Sequence, residues 1–298
     1  MDKKSKIIIF FIIGFIFIGF LVIILNNIYN YQVQPDKIQV SASFYPLYFF
    51  ARQIGGDKAN VINITPAGAE PHDYEPTAKD IAQIENSKLV VLIGEGFEPW
   101  GSNIKQNLDS KNTIILTVGE ENNTTDPHIW LNPQLAKEIV DKITNGFAQI
   151  DPENTGYYQT NADIFKNELN NLDVEYKQGL ADCEEKNIIT SHSAFGYLAA
   201  DYGFNQVSIA GLSPDAEPSS QQLANIVNFA KENNVKYIFF ESLVSPKLSD
   251  TIANEVGAKT MVLNPIEGLT NEEVSQGKSY FTEMRNNLDN LKIALKCK

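Results

Sequence analysis

Between residues 38 and 263 the chain alternates short runs rich in Val, Ile and Thr with longer stretches of helical period, and no other feature limits the fold as strongly. Four such runs cover 38–44, 59–65, 88–93 and 113–118, and four more cover 187–190, 206–209, 236–240 and 259–263. Their composition is that of strands, and most end in Gly, Pro or polar residues. Helical patterns over 47–54, 77–86, 99–108 and 219–233 lie between them; in the last, Leu223, Ile226, Val227 and Ala230 fall on one face. Strands that alternate with helices form parallel sheets covered on both faces. Two α/β lobes are therefore expected, one over 38–150 and one over 183–298.

A different pattern separates the two sets. Asp151-Pro152-Glu153 reads as a helix start, and no further proline follows as far as about residue 181. Tyr158, Ala162, Phe165, Leu169, Leu172 and Tyr176 recur at spacings of three and four, which marks one continuous apolar face. The expectation is a connecting backbone helix over 151–182, about 45 Å long and stiff enough to act as a strut.

The N-terminus adds a third element. Lys3, Lys4 and Lys6 form a short basic segment over 1–6 and precede an uncharged apolar run over 7–25. Such a run is long enough to span a bilayer, and the lysines place its start in the cytoplasm. No small-x-small cleavage site and no Cys follow it directly, so it reads as a retained anchor, with a cleaved signal as the alternative. Residues 26–37 read as a tether. The expected fold is thus α/β, with two lobes, each a mainly parallel sheet flanked by helices, joined by a long rigid helix and preceded by an N-terminal transmembrane helix. The expected location is exported, anchored to the outer face of the cytoplasmic membrane.

Charge and cysteine content narrow the function. A formal net charge of −13 disfavours nucleic acid as a partner, because phosphate binding needs a basic face. Export would expose the two cysteines, Cys183 and Cys297, to an oxidising setting where a disulfide persists; two free buried thiols are the alternative.

The chain has three histidines. His72 lies in a loop shortly after the second strand, His128 just ahead of a helix, and His192 directly after the fifth strand. Ligands of open parallel sheets bind at the carboxyl ends of the strands. Two histidines from one lobe and one from the other would meet in the interlobe cleft. Imidazole suits zinc and other late first-row metals, and three supply most of a tetrahedral shell.

The residues around these histidines carry a resemblance. Ser43-Phe44-Tyr45-Pro46-Leu47, Pro71-His72-Asp73-Tyr74-Glu75-Pro76, Asp126-Pro127-His128-Ile129-Trp130, Ser191-His192-Ser193-Ala194-Phe195-Gly196-Tyr197, Glu217-Pro218-Ser219, Phe239-Phe240-Glu241 and Leu263-Asn264-Pro265 occur in this order. The ordered set resembles the metal-binding ABC solute receptors of the ZnuA/TroA family, from about residue 38 onward. The resemblance implies two lobes joined by a backbone helix and a buried metal site between them, with His72, His128 and His192 as ligands. It also implies zinc as the transported ion, manganese-type relatives tending to carry a carboxylate at the third position. The fourth position departs from the pattern: where the family has Asp-Pro, this chain has Asn264-Pro265. Asn264 as a weak ligand, or a water in its place, ranks ahead of a substitute acid, Glu267 or Glu70. Asp73 and Asp126 are candidates to orient the imidazoles. The His-rich loop of some zinc receptors is absent from 120–125.

These features point to an extracytoplasmic binding protein, acting as a monomer, that captures zinc and delivers it to an ABC permease with its cytoplasmic ATPase. It is not an enzyme on this reading. The first alternative is a zinc-dependent hydrolase that uses three histidines, an open metal position and Glu70 or Glu241 as base. The second is a metal-stabilised surface adhesin.

Overall fold

The computed structural model describes residues 37–94, 96–108, 113–119 and 126–298. The strands and helices of the described residues all belong to one compact unit, Ile38–Lys298.

The first four strands are β1 Ile38–Ala42, β2 Ala59–Asn63, β3 Leu89–Leu92 and β4 Ile114–Thr117. They form a fully parallel sheet in the order β2-β1-β3-β4. The next four, β5 Asn187–Thr190, β6 Asn205–Ser208, β7 Tyr237–Phe240 and β8 Lys259–Val262, repeat the same topology as β6-β5-β7-β8. In each sheet the chain turns one way after the first strand and the other way after the third. A crevice therefore opens between β1 and β3, and another between β5 and β7, at the carboxyl ends of the strands.

The helices are α1 Tyr45–Gly55, α2 Ala78–Glu85, α3 Gly101–Leu108, α4 Pro133–Ile150, α5 Thr155–Gly179, α6 Gly196–Tyr202, α7 Ser220–Glu232, α8 Lys247–Val256, α9 Asn271–Ser275 and α10 Tyr280–Leu295. Several starts follow from sequence. Thr77 with Asp80 and Ser219 with Gln222 form reciprocal capping boxes, and Asn132 caps α4 ahead of Pro133.

Core residues alternate along the strands as a two-sided sheet requires. Leu89 and Val91 of β3 face a central core, whereas Val90 and Leu92 face the layer of α2 and α3. Ile188 joins the same central core, and Ile189 the outer layer with Ile226 and Ile252. The central core is continuous from Val40 to Leu295 and so takes side chains from both halves.

The strut is shorter than its sequence pattern suggests. Pro152–Asn154 form a 3-10 turn, and α5 begins only at Thr155 and runs for 25 residues, about 37 Å. Asp151 makes no side-chain cap; its carboxylate instead accepts from Asn154 Nδ2 at 2.7 Å and Tyr158 OH at 2.6 Å. All six apolar positions that define its face are buried. Asn161 ties α5 to α1 through Ile54 O at 2.9 Å, and Tyr176 OH ties it to α10 through Met284 O at 2.7 Å.

One part of the expected fold needs correction. The expected transmembrane helix over 7–25 lies outside the described residues, and among the described residues no helix is long and apolar enough to cross a membrane. The architecture that stands is the two-lobed parallel α/β fold. The two longest helices, α4 and α5, bury one apolar face and carry charged residues on the other. Even α5, the longest, interleaves its buried face with Asp163, Lys166, Glu168, Asp173, Glu175 and Lys177, and such a helix is built for a protein core rather than for lipid.

Cys183 and Cys297 form a disulfide that pins the end of α10 beside the chain leaving α5. It closes a loop with a sequence separation of 114 residues. Loop-closure entropy for a loop of this length gives a contribution of about 4–5 kcal/mol. Urea unfolding of a Cys297→Ser variant should show a loss of that order with a cooperative transition retained; an unchanged midpoint would mean that the packing of α10 already restricts the chain end.

Candidate metal centre

Four side chains converge where the carboxyl ends of the two sheets meet. His72 stands in the loop after β2, His128 precedes a 3-10 turn over Ile129–Leu131, His192 follows β5, and Glu267 lies five residues beyond β8. The Nε2 atoms of His72, His128 and His192 lie 3.3, 3.3 and 3.2 Å from a single atom, Glu267 Oε1. The Nε2 atoms of His128 and His192 are 3.2 Å apart. One donor atom from each of the four residues falls within 4.8 Å of all the others. A tetrahedron with bonds of 2.0–2.1 Å has edges of about 3.3–3.4 Å. These four spacings match four of the six edges of such a polyhedron, and the donor set could hold a divalent ion.

The ring orientations have identifiable causes. His128 Nδ1 meets Asp126 Oδ1 at 2.7 Å, and that carboxylate also accepts from His128 N at 3.0 Å. His192 Nδ1 meets Glu241 Oε1 at 2.7 Å. Each carboxylate fixes its imidazole with Nε2 turned to the centre. Glu241 sits at the end of β7, beside β5, in the crevice of the second sheet. Phe97 packs edge-on to His72 at a centroid distance of 4.5 Å, and Trp130 lies 5.1 Å from His128. The centre is thus walled by aromatic rings, and His128, His192 and Glu267 are at most 2 % exposed.

Asn264 is buried beside the cluster without joining it. Its Oδ1 accepts from Ile266 N at 2.8 Å, and its Nδ2 donates to Glu283 Oε2 at 3.3 Å. Its backbone exchanges two further bonds with the Asn287 amide, at 2.8 and 2.6 Å. The neutral amide works here as a turn former, and the acid that reaches the three histidines is Glu267. Its route depends on Ile266, which adopts φ 60, a left-handed conformation that is strained for a β-branched residue. Asn264 Oδ1 and the hydrogen bond from Trp130 Nε1 to Pro265 O, 2.8 Å, hold that turn in place.

The remaining candidates divide. Asp126 orients the His128 ring. Asp73 instead acts on Asp215 of the second half, where burial and then Asp73 raise the Asp215 carboxyl. Glu70 Oε1 accepts from His72 N at 3.3 Å, while its Oε2 is buried with no partner. Burial, and then the charge of Glu267, push Glu70 up to about 8. Burial works against the Glu267 charge as well, but His192 and the three imidazole contacts outweigh it and hold that carboxyl well below its usual range. Burial likewise opposes charge on His192, and Glu267 and Glu241 together raise it well above the ordinary imidazole value.

Sequence reasoning passed over Glu98, which bridges the crevice of the first sheet. It accepts from Ser43 Oγ after β1, and from Ile93 N at 3.0 Å and Gly94 N at 2.8 Å after β3. Its neighbour Phe97 is the ring that seats His72. Burial raises the Glu98 carboxyl from 4.5 to about 7 against these three bonds. A raised native pKa means that the folded chain holds the proton more tightly than the unfolded chain. Stability therefore declines as pH rises from about 4.5 through about 7 and levels off above. Measured against Glu98→Gln, which cannot ionise, the parent should lose roughly 2–3 kcal/mol between pH 5 and pH 8. Urea titrations of both proteins at the two pH values test this, and parallel pH dependences would contradict it.

The sequence profile described as "Zinc-uptake complex component A periplasmic" matches residues 40–294. The high-affinity zinc uptake system protein ZnuA of Bacillus subtilis is 42% identical over 281 residues, covering 87% of this chain and 88% of that protein. The zinc-binding lipoprotein AdcA of Streptococcus pneumoniae is 38% identical over 283 residues; 88% of this chain is covered, but it spans only 56% of that longer protein. Among solved structures, the laminin-binding protein Lmb of Streptococcus agalactiae, described as bifunctional with adhesin and metal transporting activity, superposes with a TM-score of 0.79 at 34% identity over 87% of this chain and 99% of that one. A profile match over most of the chain, together with relatives of this identity and coverage, assigns the sequence: it belongs to the family of zinc-uptake complex component A.

Proposed function

We propose that this protein is the extracytoplasmic solute-binding component of an ABC importer for zinc, and that His72, His128, His192 and Glu267 hold the ion as cargo. The observation that carries this reading is the convergence of three imidazole nitrogens on one carboxylate oxygen at 3.2–3.3 Å. Three nitrogen donors and one oxygen in a buried, ring-walled pocket suit a tetrahedral ion with borderline-soft preferences. Manganese favours more oxygen donors and retained waters. Glu267 and Glu241 supply two negative charges beside a divalent ion. Capture replaces water by imidazoles, which must be neutral to bind, so affinity falls on acidification. The loaded protein then docks on a membrane permease that works with an ATPase. The family description and the lipoprotein relative support a site of action outside the cytoplasmic membrane.

The hydrolase alternative loses its footing in this geometry. A catalytic zinc keeps a position open for water, and here Glu267 stands in the fourth position. The adhesin reading is compatible with metal transport in the case of Lmb; for this chain it has no separate observation behind it.

Titration calorimetry of the metal-stripped full-length chain with zinc and with manganese tests the proposal, with His192→Ala as control. One zinc per chain, manganese weaker by at least a hundredfold, and loss of zinc binding in the control are expected. No zinc binding, or binding that His192→Ala leaves intact, would overturn it.

A further inference from the structure

His128 lies in the sequence of the first half, yet the arm that carries it is fastened to the second. The arm covers residues 126–132, and His128, Ile129, Trp130, Leu131 and Asn132 are all buried. Its hydrogen bonds reach into that second half. Tyr197 OH donates to Asp126 O at 3.0 Å. Asn132 Nδ2 donates to Asp201 Oδ2 at 2.6 Å and to Tyr197 O at 3.3 Å. Trp130 Nε1 donates to Pro265 O at 2.8 Å, and Tyr280 OH donates to Trp130 O at 2.5 Å. Gly196 completes the seat: a Cβ there would stand 3.1 Å from Asp126 Oδ2. Toward the first half the arm offers apolar ring contacts, Trp130 with Phe44 at 4.8 Å and with Phe97 at 5.4 Å.

The two kinds of contact respond differently to relative motion. Packed rings tolerate the small sliding displacements by which lobes shift, whereas directional hydrogen bonds hold one geometry; those to Tyr197 and Asp201 are part-buried, and those to Pro265 O and Trp130 O are buried. Resting on the metal-centre reading, we infer that Tyr197 and Asp201 are positioning residues that bind the His128 arm to the second half, so that His128, His192 and Glu267 form a single preformed tripod and His72 alone belongs to the other body. Tyr197 and Asp201 both lie on α6, which begins four residues after His192. One short helix therefore sets the spacing of two of the metal-facing imidazoles. Tyr197 acts through the backbone of Asp126, the residue that orients the His128 ring. Asp201 acts through Asn132, which caps the helix leaving the arm.

Cobalt(II), whose visible absorption reports coordination geometry, provides the test on the full-length chain. His72→Ala should still bind one cobalt with a four-coordinate spectrum, water replacing the missing imidazole. Adding Tyr197→Phe and Asp201→Ala to that variant should weaken cobalt binding about 10- to 100-fold and alter the spectrum, the range expected when groups that orient metal ligands are lost. With His72 intact, Tyr197→Phe alone should speed zinc release to a chelator about tenfold. Asp201→Asn, which keeps an acceptor for Asn132, should restore most of what Asp201→Ala loses; a residue needed only for folding would not show this selectivity. If Asp201→Ala fails to fold, Tyr197→Phe carries the test, since it removes one oxygen and keeps the ring. Unchanged cobalt spectra and release rates in folded variants would overturn the inference, and so would loss of all cobalt binding in His72→Ala. Failure of the unaltered chain to bind cobalt or zinc would be a different result and would strike the metal-centre reading itself.

Discussion

Zinc affinity should fall by about two to three and a half orders of magnitude when Glu267 is replaced by glutamine. The substitution keeps the size of the side chain and removes its charge from a site where three imidazole nitrogens lie within 3.3 Å of one oxygen. Removing one partner of a buried, mutually satisfied charged set costs about 3–5 kcal/mol, and each 1.4 kcal/mol is about a factor of ten in affinity. Asn264→Asp is the informative contrast. It supplies the carboxylate that family resemblance expects at this position, but it sets that charge against Glu283, 3.3 Å from the present amide nitrogen. It should destabilise the turn without tightening zinc binding. Chelator competition on both variants decides the matter. Stronger zinc binding in Asn264→Asp, together with unaltered binding in Glu267→Gln, would move the fourth donor to position 264.

The largest effect on stability is expected at Trp130. Its side chain is fully buried, packs against Phe44, Phe97 and His128, and donates to Pro265 O. Truncating a buried tryptophan to alanine costs about 3–5 kcal/mol, and here the Pro265 carbonyl also loses its donor, so about 5 kcal/mol is expected for Trp130→Ala. The same change frees the turn that aims Glu267 and should weaken zinc binding in the fraction that remains folded. Trp130→Phe keeps most of the volume and loses the N–H, and so separates the two effects. If Trp130→Phe binds zinc as the parent does, the hydrogen bond to Pro265 does not hold the turn.

How far the sequence leads depends on the range over which each feature is determined. The eight strands, and the buried face of α5 from Tyr158 to Tyr176, follow from local period and composition. The three histidines can be found because each follows a strand end or precedes a helix, where parallel sheets present their ligands. Glu267 ranks behind Asn264 in the sequence for a physical reason. Its approach requires Ile266 at φ 60, a conformation that propensity argues against, and only the Asn264, Asn287 and Trp130 bonds make it tenable. The start of α5 departs from the cap signal at Asp151, because a side chain that reads as a helix cap is drawn away by Tyr158 and Asn154. The attachment of the His128 arm to the second half is not legible at all. It rests on pairs such as Asn132 with Asp201, 69 residues apart, and Trp130 with Pro265, 135 apart.

The two sheets share one strand order, while the core between them takes side chains from both. A single half on its own would leave Val40, Leu89 and Val91, or Ile188 and Phe239, facing water, and exposed apolar surface of that kind favours association. Separate halves would have to meet by diffusion before they could hold an ion between them. Joining the halves in one chain turns that encounter into an intramolecular one. It also lets the two halves differ, so that one holds Glu98 in its crevice while the other places Glu241 behind a histidine. In these terms one strand order, used twice, carries two unlike crevices into a single asymmetric centre.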